Sequence, residues 1–434
     1  MNADIHCDVL VVGGGPAGST IAALLAERGE NVVLVEKEKH PRFHIGESLL
    51  PFNLPLLEKL GVKEEVDAIG MPKFGAEFVS SYHKKTVEFK FANAWDKNFP
   101  GAYQVRRSEF DHILLKNAAA KGADVIEECR VMDVEFPPEG GAIATGKDKD
   151  GTARRWHAKF LVDASGRDTL LAKKFDVVKR NHRHNTAAMF GHFTGARRNC
   201  GTAEGNISLF WFDSGWFWFI PLSDGTTSVG AVCSPQYMKS RKGDIADFFM
   251  ATIATCPGLT ERLKDAELAS EVTATGNYSY RAGHMVGKSY IMLGDAFAFI
   301  DPLFSTGVYL AMNSGFEGAE AVSTCLHQPE KAARALKKFD ATIRHGINSY
   351  SWYIYRAPMP ALRNLLMVPR NSFRIEEAIL SVLAGDVFRN TPIGLRLLAF
   401  KAIYYMQSIG LAKASFTAWR QRRRSVQAAA SEAA

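Results

Sequence analysis

The residues with the clearest chemical potential begin at Gly13-Gly14-Gly15-Pro16-Ala17-Gly18 and end at Glu36. In a G-x-G-x-x-G run the first glycine permits a tight turn and the second lets the backbone approach a pyrophosphate. The third lets a helix pack close to a sheet. Free N–H groups at the start of that helix, with its dipole, favour an anion there. Gly13, Gly15, Pro16, Ala17 and Gly18 thus form a candidate pyrophosphate cradle. Glu36, about twenty residues further on, is placed to accept hydrogen bonds from a ribose. The plain alternative is a glycine-rich turn in any α/β protein.

Three later features bear on which dinucleotide this is. Asp163-Ala164-Ser165-Gly166 follows an apolar run, Gly294-Asp295 ends another, and Arg106 stands just before a helix start. A nicotinamide dinucleotide has no need of a second contact point so far along the chain. An extended FAD, with a ribityl chain between pyrophosphate and ring, does. Asp163, Gly166, Arg106 and Asp295 are therefore read as further FAD contacts, although each acid taken singly could be only a strand-end cap. Arg42 and Ser48, in the segment Pro41 to Pro51, are added to the cofactor set.

These residues need elements to position them. Cys7–Val12 reads as a strand buried on both faces, Thr20–Arg28 as a helix and Asn31–Val35 as a second strand. A helix follows from about Asn53 to Leu60, then short strands between Lys73 and Tyr103. Ser108 is a plausible N-cap for a helix running to about Lys121. Residues Ala123 to Asp163 alternate as an antiparallel ribbon that rejoins the main sheet at Phe160–Asp163. Thr186 to Val232 reads as a second, mixed sheet, with helices at Ile245–Ala254 and Leu259–Lys264. Ser289–Asp295 reads as a buried strand, and a long helix begins near Gly307. From about Ile347 the chain is helical, broken at Pro358, Pro360, Pro369 and Pro392. The fold class expected is α/β: a Rossmann-like FAD-binding domain interleaved with a mixed-sheet substrate domain, plus a C-terminal helical block. FAD-binding segments are expected at about 1–70, 104–170 and 285–346, the substrate sheet at about 71–103 and 171–284, and the helical block at 347–434.

Composition sets bounds. The 434 residues, 47% apolar and 23% charged, suffice for two or three structural units. The net charge of +7 is modest, and no nucleic-acid partner is expected. Six scattered cysteines without a C-x-x-C argue against a structural metal or a disulfide framework. No apolar run reaches the length of a membrane span, and the start lacks a basic, apolar leader, so a cytoplasmic protein is expected. The basic stretch Leu395 to Arg424 reads as a helix capping a core, with an acidic carrier protein or a membrane surface as its alternatives. The Ala-rich end, Gln427–Ala434, reads as disordered.

The order of G-G-G-P-A-G, Asp163 to Gly166 and Gly294-Asp295 resembles the flavin monooxygenase superfamily of the hydroxybenzoate hydroxylase type. Gly215-Trp216-Phe217-Trp218-Phe219-Ile220-Pro221 looks like the G-W-x-W-x-I-P motif of FAD-dependent halogenases. Phe299 to Gly307 looks like their F-x-x-P-x-x-S-x-G motif. By composition alone the first is simply a strand of alternating aromatics. A related pattern also occurs in flavin-dependent prenyl reductases. The resemblance spans about Asp8 to Ala311. It implies that Trp216 and Trp218, with Pro221 and Phe304 nearby, line the space between flavin and substrate. Pro302 and Ser305 would cradle the flavin, and the amides of Thr306 and Gly307 would hold a halide beside it.

Lys73 lies between Pro72 and Gly75 in an apolar setting, where a buried ammonium would need a purpose. Its bland reading is a surface lysine on a loop. Its place downstream of Gly46-Glu47-Ser48 resembles that of the catalytic lysine of phenol and pyrrole halogenases, which receives hypohalous acid and presents an electrophilic halogen. Halogenases of free tryptophan carry a glutamate two residues before the threonine of the Ser-Thr-Gly turn. Here that position is Phe304, which implies an electron-rich phenol or pyrrole, free or tethered to a carrier protein. A phenol would need a base, and His83, His182 and His184 are equal candidates. With no second G-x-G-x-x-G, reduced FAD is expected from a separate reductase. The rival readings are a flavin aromatic hydroxylase, a prenyl reductase and a flavin protein without turnover.

Overall fold

The computed structural model describes residues 4–181, 184–276 and 279–420. Its first sheet is built on three apolar strands that lie side by side and run parallel. Ile5–Val12 is central, flanked by Ala153–Asp163 and Val32–Val35, with Tyr290–Met292 and Asp124–Ile126 outside them. The register aligns their carboxyl ends: Val12 pairs with Asp163 on one side and with Val35 on the other, and Asp163 pairs with Met292. One sheet edge therefore gathers the turn after Val12, Glu36, the Ala164 turn and Gly294-Asp295. This is where open α/β sheets bind ligands. The antiparallel ribbon, Cys129–Glu135 with Ala142–Asp148, rejoins the sheet through Ala153–Asp163 as expected.

The second sheet is mixed. From one edge its order is Glu267–Leu268, Ala187–Thr194, Thr227–Cys233, Gly215–Pro221, Ile207–Phe212, Gly75–Ser80 and Lys85–Lys90. Its strands alternate with period two. Trp216 and Trp218 pack toward the main core, whereas Phe217 and Phe219 join a separate core with Phe249 and Ile253 of the helix Ile245–Ala254. A two-stranded ribbon, Met71–Lys73 with Ala102–Gln104, sits apart from both sheets and carries Lys73 opposite Ala102.

The helix Gly307–His327 packs on the first helix, Pro16–Glu27, so closely that a Cβ on Gly315 would lie 2.8 Å from the Thr20 side chain. Ala332–Ile354, Pro360–Met367, Ile375–Ala384 and Gly394–Gly410 follow it as C-terminal helices.

Three local expectations are corrected. Ser108 is not the N-cap: the helix runs Arg107–Ala120 and its cap is Arg106, without a capping side chain. Arg107 is held instead by Asp111 one turn on and by the Ile45 carbonyl, and the helix starts two residues earlier than expected. The strand read as Ser289–Asp295 is only Tyr290–Met292, because Gly294–Ala296 folds into a 3-10 turn. The basic stretch from Leu395 is not one helix: Gly394–Gly410 ends at Leu411, and residues 412–420 form a further helix. Arg422, Arg423, Arg424 and the Ala-rich end lie outside the described residues.

Candidate active site

At the shared edge of the first sheet the glycines meet tight constraints. Gly13 has φ +107°, and a Cβ there would lie 2.3 Å from the Ala164 carbonyl oxygen. A Cβ on Gly18 would lie 1.9 Å from the Gly13 carbonyl oxygen. Gly15 differs: its Cβ would meet only the Arg42 guanidinium, at 3.7 Å, because the position borders open space. The helix after it starts with Pro16, which gives up no needed donor at this position. Glu36 accepts from the Gly14 N–H at 2.6 Å, so this buried carboxylate first fixes the loop. Asp163 does the same for the Ala164 turn, accepting from the Ser165 and Leu171 N–H groups, and it is fully buried.

The open space is a cavity of about 900 Å³ that runs from this edge to the second sheet. Gly13, Gly15, Pro16, Ala17, Glu36 and Arg42 border its first end. Ser48, Gly166, Asp295, Pro302, Ser305, Thr306 and Gly307 border it as well, and Trp216 and Trp218 border it from the second sheet. Burial pushes the Asp295 carboxyl up to about 6, against the opposing pull of Arg167 and Arg107. Ser305 turns through the left-handed region at φ +56° and Thr306 caps the helix Gly307–His327. A Cβ on Gly307 would meet nothing within 4 Å. The first N–H groups of that helix, which have no partners within it, therefore stand beside open space.

Trp216 and Trp218 sit two residues apart on one strand, with ring centroids 6.2 Å apart. The Trp218 indole N–H donates to Ser228 Oγ at 3.1 Å. Its six-membered ring lies across Gly230 of the next strand, where a Cβ would come within 2.1 Å of it. Phe190 closes the wall beside Trp218 at 5.9 Å.

Other expected site residues stand back from the cavity. Gly18 and Asp163 support it from behind. Arg106 turns outward, pairing with Asp224 at 2.7 Å and donating to Thr226 Oγ1 at 2.6 Å. Its neighbour Arg107 borders the cavity instead, and nothing in the adjacent Arg-Arg pair told the two apart. Pro221 ends its strand against Thr227. Phe304 is buried among Tyr353, Leu362, Leu366, Ile379 and Leu383, facing the C-terminal helices. Of the three histidines, His83 bridges Ser80 and Asn364. His182 lies outside the described residues. His184 is buried and bonds Asp301 at 2.7 Å, and Asp301 borders the cavity. A second buried pair, His192 with Glu47 at 2.8 Å, had no sequence signal, since its members are far apart in the chain.

Lys73 is 1% exposed and stands behind the cavity wall. Its ammonium donates to Ser48 Oγ at 2.9 Å and to the Leu49 carbonyl at 2.9 Å, and lies 5.3 Å from the Phe91 ring centroid. No carboxylate pairs with it among the described residues. Burial alone pulls its pKa down from 10.5 to about 7. The C-terminal helices cover this side of the protein, with Ser381 Oγ accepting from the Trp95 N–H at 2.9 Å and Arg389 pairing with Asp96 at 2.6 Å.

The glycine cradle, the opening at Gly15, the two cations Arg42 and Arg107 and an elongated cavity of this size fit an FAD. This is the architecture of an FAD-binding flavoprotein. The family model of tryptophan halogenases matches residues 8–99 and 80–357, and the chain belongs to that family, the FAD-dependent halogenases. It is 37% identical to a flavin-dependent halogenase of Armillaria mellea over 352 residues, which is 74% of this chain and 68% of that relative. It is 30% identical to the 1H-pyrrole-2-carbonyl-[peptidyl-carrier protein] chlorinase of Pseudomonas fluorescens over 410 residues, covering 89% and 90% of the two chains. The structure of the myxobacterial chondrochloren halogenase superposes with a TM-score of 0.78 at 30% identity, covering 93% of this chain and 96% of that one.

Proposed function

We propose that this enzyme halogenates an electron-rich aryl ring, a phenol or a pyrrole, through Lys73. The observation that carries the reading is the setting of that lysine: an amine sealed in an apolar site, without a carboxylate and with its pKa brought to about 7. At neutral pH a large share of it is the free amine, which is the nucleophilic form. FAD, when bound in reduced form, supplies the two-electron reduction of O₂ that lets halide be oxidised to hypohalous acid.

The chain's own residues do the rest. The Thr306 and Gly307 amides hold the halide, a spherical anion suited to backbone N–H groups without an acid beside it. Trp216 and Trp218 fill the space in which an organic substrate would otherwise meet the flavin. Lys73 then takes the halogen in one of two ways. Its N–H donates to the oxygen of X–OH and polarises the O–X bond. Alternatively, the amine attacks X, forming N–X, and hydroxide leaves as water with the amine proton. The aryl carbon then attacks X, N–X or O–X breaks, and the ring loses a proton. Of the described histidines considered as a base, His184 reaches the cavity through Asp301, which borders it.

Gly13, Gly15, Pro16, Ala17, Glu36, Arg42, Ser48, Gly166 and Asp295 are the proposed FAD contacts, and Arg107 replaces Arg106 among them. The segments at about 1–70, 104–170 and 285–346 form the FAD-binding part, 71–103 and 171–284 the substrate sheet, and the described residues from 347 to 420 its helical cover. A carrier-tethered pyrrole is supported by the likeness to the Pseudomonas chlorinase, and a separate reductase supplies the reduced FAD. Among the described residues no helix is long and apolar enough to cross a membrane.

The test supplies reductase, FAD, O₂ and chloride or bromide with phenols and pyrroles, free and carrier-bound. Products carrying the halogen isotope pattern are expected. Oxygen insertion without halogen would replace this reading with a hydroxylase.

A further inference from the structure

The helix Gly394–Gly410 presents two apolar faces. Phe400 and Tyr404 are buried against the protein. On the other side Leu395, Leu398, Tyr405, Met406 and Ile409 are 79%, 62%, 50%, 64% and 75% exposed. At about 100° per residue these five occupy one arc, opposite Phe400 and Tyr404. The helix over residues 412–420 adds Phe416 and Trp419, still 59% and 46% exposed although their rings stack at 5.7 Å. A contiguous exposed apolar row of this kind marks an interaction surface.

Its charge is equally one-sided. From Val387 to Ser431 the sequence contains no aspartate or glutamate and eight lysines or arginines, Arg420 and Arg422 to Arg424 among them. The whole chain has a net charge of +7, so its entire positive excess lies in this segment. Lys413 and Arg420 are exposed beside Phe416 and Trp419.

We propose that this face rests on an anionic lipid bilayer, with the apolar row entering the acyl boundary and the cations meeting the head groups. Leucine, isoleucine, tyrosine and tryptophan flanked by arginine and lysine have the chemistry of an interfacial helix, which lies on a membrane without spanning it. A second copy fits poorly, because pairing these helices with themselves sets the exposed Lys413 and Arg420 against like charges. A soluble acidic protein would match the charge, but would also have to supply an apolar groove along a helix about 25 Å long. A bilayer needs no such shape match. This inference does not depend on the reaction proposed above.

The experiment floats the full-length FAD-loaded protein with vesicles of phosphatidylcholine alone or mixed with phosphatidylserine. Flotation with the anionic vesicles only, declining as salt rises, is expected. A Leu398→Glu/Ile409→Glu variant is expected to bind at least about tenfold less while keeping its flavin absorbance and melting temperature, since both residues are exposed. Failure to float with anionic vesicles at low salt would overturn the proposal. So would equal flotation of the variant, or a dimer in sedimentation that the two substitutions abolish.

Discussion

Lys73 Nζ donates to Ser48 Oγ at 2.9 Å, and of the two only the serine borders the cavity. The hydroxyl stands between the space that fits the flavin and the amine proposed to carry the halogen. Lys73 is thereby shielded from bulk water and from every carboxylate among the described residues, and its acid–base behaviour follows from that isolation.

The pH dependence can be signed. In the unfolded chain a lysine titrates near 10.4, whereas Lys73 in the fold titrates at about 7. Between those values the unfolded state binds more protons, so this group makes stability rise as pH rises from about 7 to about 10.4. The full span has an upper limit of roughly 5 kcal/mol. Denaturant melts of wild type and Lys73→Met across that range are expected to differ by a rise present only in the wild type. The halogenation rate is expected to show a limb near pH 7 as the free amine forms.

Gly230→Ala puts a Cβ where the Trp218 ring stands, at 2.1 Å, and one of the two must move. Displacing the indole narrows or reopens the wall between the flavin space and the second sheet. The expected outcome is at least about a tenfold loss in halogenation with FAD affinity changed less than threefold, as measured by product formation and flavin titration.

Gly18→Ala acts at the other end. Its Cβ would lie 1.9 Å from the Gly13 carbonyl oxygen, which belongs to the backbone and cannot rotate away. FAD binding is expected to fall below detection in a flavin titration, with a stability loss of about 2–4 kcal/mol in denaturant melts.

Asp295 titrates at about 6 because burial raises it. Hydroxyl groups of a bound FAD would donate to its ionised form and draw that value down. FAD affinity is therefore expected to weaken as pH falls through 6, and the dependence is expected to vanish in Asp295→Asn, read by flavin fluorescence titration.

Much of this was legible in the chain. The glycine loop, Glu36, the Asp163 turn and Gly294-Asp295 each end an apolar strand, and such short-range patterns survive folding because parallel register lines up strand ends. The two-residue spacing of Trp216 and Trp218 likewise put both rings on one face. What sequence could not decide was direction at a strand–helix junction, where Arg106 and Arg107 diverge. It also could not find pairs made by tertiary contact, such as Glu47 with His192. The second apolar face of the helix Gly394–Gly410 became visible only once the buried face was known.

The most direct test of the central claim compares wild type with Lys73→Ala and Lys73→Met, loaded with FAD and supplied with reductase, O₂, bromide and an electron-rich phenol or pyrrole. Both variants are expected to bind FAD and still consume O₂ and reduced flavin, while halogenated product falls by at least about a hundredfold. Unchanged halogenation by either variant would contradict it.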